Sequence, residues 1–305
     1  MNSAETRRKK LTPARIVITL VSLGVLFGLW RTGQKWVVVP VGLVLLTGYV
    51  LLPRLRASRV RRFHKQALAL LAKGQADEVP GLVKRNLFLQ LVGPRSALDA
   101  KLGLAYLQTG RYDYAVRYLR EAISHVAREE RLPLEIGLAK AHFVTGDFEN
   151  AEEMALGVEQ KGTRLAEMMC IVARSRLLAN KMESARTLLK EAEGFSPSPD
   201  VKWMIELVRT ELALKAGSAL PKLAADSEPT EAFLKGWRHA VRGRICERDG
   251  RRDRAEEHYR QALRLGSNTF IELEIGEYRE TEEKRPKNQG AGSSTSPRKK
   301  RRKRR

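Results

Sequence analysis

Apolar and small residues recur through the middle of the chain at the spacing of amphipathic helices. In Leu98 to Ile123, LDAKLGLAYLQTGRYDYAVRYLREAI, one stripe is formed by Leu98, Leu102 and Ala105–Tyr106 and a second by Tyr112, Ala115, Leu119 and Ala122. Thr109-Gly110-Arg111 separates the stripes, so the stretch predicts two helices and a tight turn. Gly103 and Ala115 are the small residues that a close helix crossing needs. One such hairpin cannot bury its apolar face alone and needs a neighbour on each side.

The pattern repeats. Ala115, Ala151, Ala185, Ala219 and Ala255 follow one another at steps of 36, 34, 34 and 36 residues. The turn position recurs at Gly74, Gly110, Gly146, Asn180, Gly217 and Gly250, and the segments GRYDYA, GDFENA, NKMESA and GRRDRA align without gaps. With Gly103, Ala139, Ala173 and Gly243 at a first small position and Ala122, Ala192 and Ala262 at a last, the chain resembles the tetratricopeptide repeat family. The resemblance implies an all-α solenoid whose concave wall is lined by the first helix of each pair. Lys140, Arg174 and Arg244 then face inward, with Phe143, Leu177 and Arg248 a turn further on. These six are the candidate partner-binding residues of a basic and apolar groove suited to an acidic or C-terminal peptide. Asparagine is scarce there, unlike in family members that clamp a carboxylate, and a solvated charged face is the competing reading.

Two apolar runs precede the repeats, Ile16 to Trp30 and Trp36 to Leu52, joined by Arg31–Lys35. No small-residue cleavage site follows the first, which argues against a signal peptide. Neither has the polar face of a core hairpin, so a transmembrane hairpin is expected. The first run spans about 22 Å as a helix, short of a hydrocarbon core of about 30 Å. Ala14 and Thr32 can extend it and Arg15 and Arg31 can snorkel, or the segment is re-entrant. Trp30 and Trp36 flank the link as interfacial aromatics do. Basic residues concentrate before the hairpin and after it, at Arg54, Arg56, Arg59, Arg61, Arg62 and Lys65, which places both termini on the cytoplasmic side. The second cluster either reports that topology alone or also grips anionic lipid.

The net charge of +22 is concentrated at the ends. Residues 1–65 carry 13 Lys/Arg against one acid, residues 284–305 carry 11 against none, and the body between is close to neutral. Within the body, the Arg238–Arg254 stretch is the one local basic patch. From Glu280 the chain turns polar and ends PRKKRRKRR, a composition that cannot bury enough apolar area to fold. Such a tail can meet anionic lipid or nucleic-acid phosphates, the latter without reading sequence because no aromatics are interleaved.

The expected division is a basic N-terminus (1–13), a membrane hairpin (14–53), a basic juxtamembrane segment with a degenerate leading pair (54–96), repeats (97–278) and a disordered basic tail (279–305). Phe63, Ala67 and Leu70–Leu71 form one stripe of the leading pair and Leu82–Leu91 its partner, interrupted by Pro80-Gly81. Ser196-Pro-Ser-Pro199 breaks the array, Pro221 and Asp226 spoil the second helix of the next pair, and a helix or loop to Tyr278 caps the end. Cys170 and Cys246 stand apart on first helices and suggest neither a disulfide nor a zinc site. No nucleophile–base pair, phosphate-cradling glycine loop or HExxH occurs, so neither an enzyme nor a cofactor is expected. The sequence therefore reads as a membrane-anchored scaffold, in a bacterial inner membrane with its repeats cytoplasmic, holding a partner protein. The alternative is a tethered nucleic-acid- or ribosome-binding protein acting through the tail.

Overall fold

The structure, a computed structural model, describes residues 31, 35–160, 162, 165–195, 197–221 and 228–276. Among them all regular structure is helical. A 38-residue helix, α1 (Lys35–Ala72), leads into a 3-10 turn and two short helices, α2 (Val79–Lys84) and α3 (Leu87–Val92). Antiparallel pairs follow: α4 (Arg95–Gln108) with α5 (Tyr112–His125), α6 (Leu132–Thr145) with α7 (Phe148–Gln160), and α8 (Ala166–Leu178) with α9 (Met182–Glu193). Next, α10 (Pro199–Lys215) stands without a described second helix, and α11 (Ala232–Arg248) pairs with α12 (Arg252–Leu265). Residues 270–276 are again helical.

The turns explain the recurrent glycine. In the first pair the Arg111 N–H donates to the Tyr106 carbonyl at 2.9 Å, and in the second Asp147 N–H donates to His142 at 2.9 Å. This six-to-one bond closes a helix only when the intervening residue is left-handed. That residue is Gly146 (φ +87°) in one turn and Asn180 (φ +61°), the side chain that best tolerates it, in another. The small residues set the helix approach. A Cβ on Gly103 would lie 2.7 Å from Leu119 Cγ, and one on Gly243 would lie 2.4 Å from Tyr259 Cε1. At the Ser-Pro break, the Ser198 hydroxyl accepts the Val201 N–H, with Pro199 in the first turn of α10.

Among the described side chains of α1, Phe63 and Ala67 are buried and pack with Val79, Val83, Leu89 and Leu98. The predicted partner helix Leu82–Leu91 is instead two short helices, because Pro80 stands in the first turn of α2 and Asn86 leaves the helical region before α3. The backbone of 36–52 is the first half of α1, but its side chains lie outside the described residues, as do the first apolar run, the link 32–34 and the tail. Among the described residues no helix is long and apolar enough to cross a membrane.

The concave side is filled by the chain itself. The array curls until its last pair meets its first. Phe233 on α11 packs against Tyr112 at the start of α5 (centroids 6.4 Å apart) and against Phe143 on α6 (6.2 Å). Residues 270–276 then fill the remaining space. Their apolar side chains turn inward: Phe270, Ile271 and Ile275 are buried, and among 270–276 only Leu273 presents a large apolar side chain outward.

Candidate functional site

The site forms where the inward faces of α6, α8, α10 and α11 converge on 270–276. Arg174, on α8, is fully buried. Its Nε donates to Glu211 Oε2 at 3.0 Å and its Nη2 donates to Glu274 Oε1 at 2.6 Å. Its guanidinium lies 3.7 Å from the Phe270 ring centre, 4.8 Å from that of Phe148 and 4.9 Å from that of Trp237. Nη1 finds no acceptor, and the ring faces around the guanidinium are the remaining source of stabilisation. Phe270 touches four aromatic rings, those of Phe143, Phe148, Phe233 and Trp237, with centroids 5.4–5.6 Å away.

Glu211, on α10, is the hub. It accepts from Arg174, from Trp237 Nε1 at 2.9 Å and from Arg244 Nη1 at 3.0 Å. Burial alone would push its carboxyl up, but the two guanidiniums and the indole N–H outweigh that and hold it below the usual carboxylate range. Arg244 also bonds Glu274, and its two carboxylates raise its pKa against the opposing effect of burial. Two arginines thus meet two carboxylates, one of which arrives on residues 270–276. A second cluster lies toward the first pair. Lys140 Nζ donates to Glu231 at 2.6 Å and sits 3.2 Å from Glu167. Burial opposes its charge, yet the two carboxylates raise its pKa. Burial, followed by the charge of Glu231, pushes the neighbouring Tyr112 hydroxyl up to about 12.

The six candidate residues therefore separate. Arg174 and Arg244 come together, with Phe143 beside them and Lys140 in the adjoining cluster. Phe143, Arg174 and Leu177 are buried, so in this state they meet the chain itself and not an outside ligand. The Leu177 carbonyl accepts from Lys215 Nζ at 2.7 Å. Arg248 stays exposed and donates to the Ser218 carbonyl. Glu211, Trp237, Phe270 and Glu274 belong to the site and were not singled out in the sequence. The signal available was a buried-side glutamate on α10 and an aromatic–x-x-x–glutamate spacing, Phe270 to Glu274, after the last repeat.

The geometry defines an α-helical repeat protein with a filled concave groove. Residues 100–124 and residues 243–269 each match a family model described as tetratricopeptide repeat. These are the first clear pair and the last, and they contain Gly103 with Ala115 and Gly243 with Ala255. The matches support that family and, with it, a scaffold for protein–protein interaction. No curated protein matches the chain.

Proposed function

We propose that the protein is a membrane-anchored scaffold that recruits a partner protein at the cytoplasmic face through its repeats. The observation that supports this reading best is the concave junction itself. Two inward arginines and a ring of aromatics are satisfied by a short helical stretch presenting one aromatic and one carboxylate a turn apart. A partner with the same two groups is recruited in exchange for 270–276. The apolar runs 16–30 and 36–52 supply the anchor, and the Arg54–Lys65 cluster flanks it against anionic lipid. This reading assigns the protein no catalytic step. A tethered nucleic-acid or ribosome binder remains the second reading, favoured by the 11 Lys/Arg and absent acids of 284–305.

Capture from detergent-solubilised cells tests both, comparing the full chain with 1–283, with and without nuclease, at two salt concentrations. A defined protein that survives tail deletion and nuclease supports the scaffold. Bound RNA or DNA that vanishes with the tail and falls steeply with salt overturns it.

A further inference from the structure

On α11, Lys235, Arg238, His239 and Arg242 recur at the spacing of one helical face, and all four are half-buried. Across from them, on α12, the half-buried His258 places its Nδ1 3.2 Å from the Nδ1 of His239. Like charges a turn apart repel, and a helix has no folding reason to line a half-buried face with them. Their carboxylate complement is thin. Arg238 reaches Glu228 at 3.5 Å, but that glutamate is 76% exposed and free to swing away. Arg238 otherwise lies over the Trp203 ring at 5.0 Å, and its buried Nε has no acceptor. Among the described residues Arg242 is hydrogen-bonded to no carboxylate.

We infer that this face is a phosphate-binding site, for a free phosphate or a phosphomonoester headgroup, held by Arg238, Arg242, His239 and His258. The histidine contact determines how it works. One Nδ1 must carry the proton and donate to the other, so the empty pair holds one bare Nε2. A phosphate dianion turns that nitrogen into a second donor: one proton comes from solvent, the Nδ1–H contact persists, and both Nε2–H groups become available to the ligand. The groups facing the pair agree with this. Burial comes first in lowering both histidine pKa values in the empty site; at His239 the neighbouring His258 follows, then Arg242 and Arg238, and at His258 Arg242, Arg238 and Arg251. Glu228 at His239 and Glu257 at His258 oppose that only in part. An anion beside the arginines removes the repulsion.

Calorimetry of the full chain in detergent with inorganic phosphate, in mildly alkaline buffers of different ionisation enthalpy where the free ligand is already the dianion, tests the site. The expected result is saturable binding with uptake of about one proton, weakened roughly tenfold or more in Arg242→Gln. His258→Gln is expected to remove the proton uptake while circular dichroism shows the helices intact. Vesicles of phosphatidic acid against phosphatidylcholine, with and without competing phosphate, tell a headgroup from a free ligand. Phosphate acting no differently from chloride at equal ionic strength overturns the inference. So does an Arg242→Gln variant that binds as the parent does, or a response to single-stranded RNA without one to phosphate.

Discussion

Arg174 brings together the three kinds of contact that close the groove: a buried hydrogen bond, a shared carboxylate and a stack of aromatic faces. A buried cation is tolerated only where its counter-charges are complete. Glu211→Gln leaves two guanidiniums facing one remaining carboxylate, so it is expected to lower stability by about 3–5 kcal/mol, read as a shifted urea midpoint. The pH dependence has a definite sign. The Glu211 carboxyl is held lower in the folded chain than in the unfolded one. Its contribution is therefore full above the unfolded value, about 4.3, and is lost as pH falls through the lower folded value. An acid titration of the parent is expected to lose stability below that point, and the Glu211→Gln variant to show a shallower loss. Gly243 makes a separate residue-scale claim: with Tyr259 in the space a Cβ would occupy, Gly243→Ala is expected to cost about 1–3 kcal/mol and to lower the thermal midpoint.

At the scale of elements, the helix pairs were legible because they depend on short-range pattern. The alanine period, the small residue at Gly103 and the left-handed turn at Gly146 are each fixed by neighbours within one hairpin, so the sequence exposes them. The closed groove was not legible. Arg174 and Glu274 are 100 residues apart, and Lys140 and Glu231 are 91 apart. No local periodicity records such pairings. They arise only once the curvature of the whole array brings α11 back to α6. Phe143 is buried under Phe233 of the last pair and under Phe270, and Leu177 is buried as well. Phe270 makes this testable. Phe270→Ala removes the ring at the centre of the aromatic cluster and is expected to destabilise the chain by about 3–5 kcal/mol. Trp237 emission is expected to shift to the red as water enters, and an unchanged spectrum would count against the packing described.

At the scale of the molecule, the body is nearly neutral and the charge sits at its ends. The histidines add a global pH response. His64, His142, His239 and His258 are all held below their ordinary values, with burial the leading cause in each. The unfolded chain therefore binds more protons than the folded one just below about pH 6.5, and stability is expected to fall as pH drops through that region. A thermal-shift series across mildly acidic pH reads this directly, and a flat series would contradict it.

Hydrogen exchange of the full chain, resolved to residues 268–276, tests the filled groove most directly. If the chain's own residues 268–276 occupy the concave side, the amides of Ile271, Glu274 and Ile275 exchange as slowly as those of buried α8. Exchange of those amides at the rate of an unprotected peptide, with α8 slow, would mean that the groove stands open and that Arg174 and Arg244 await a ligand from outside.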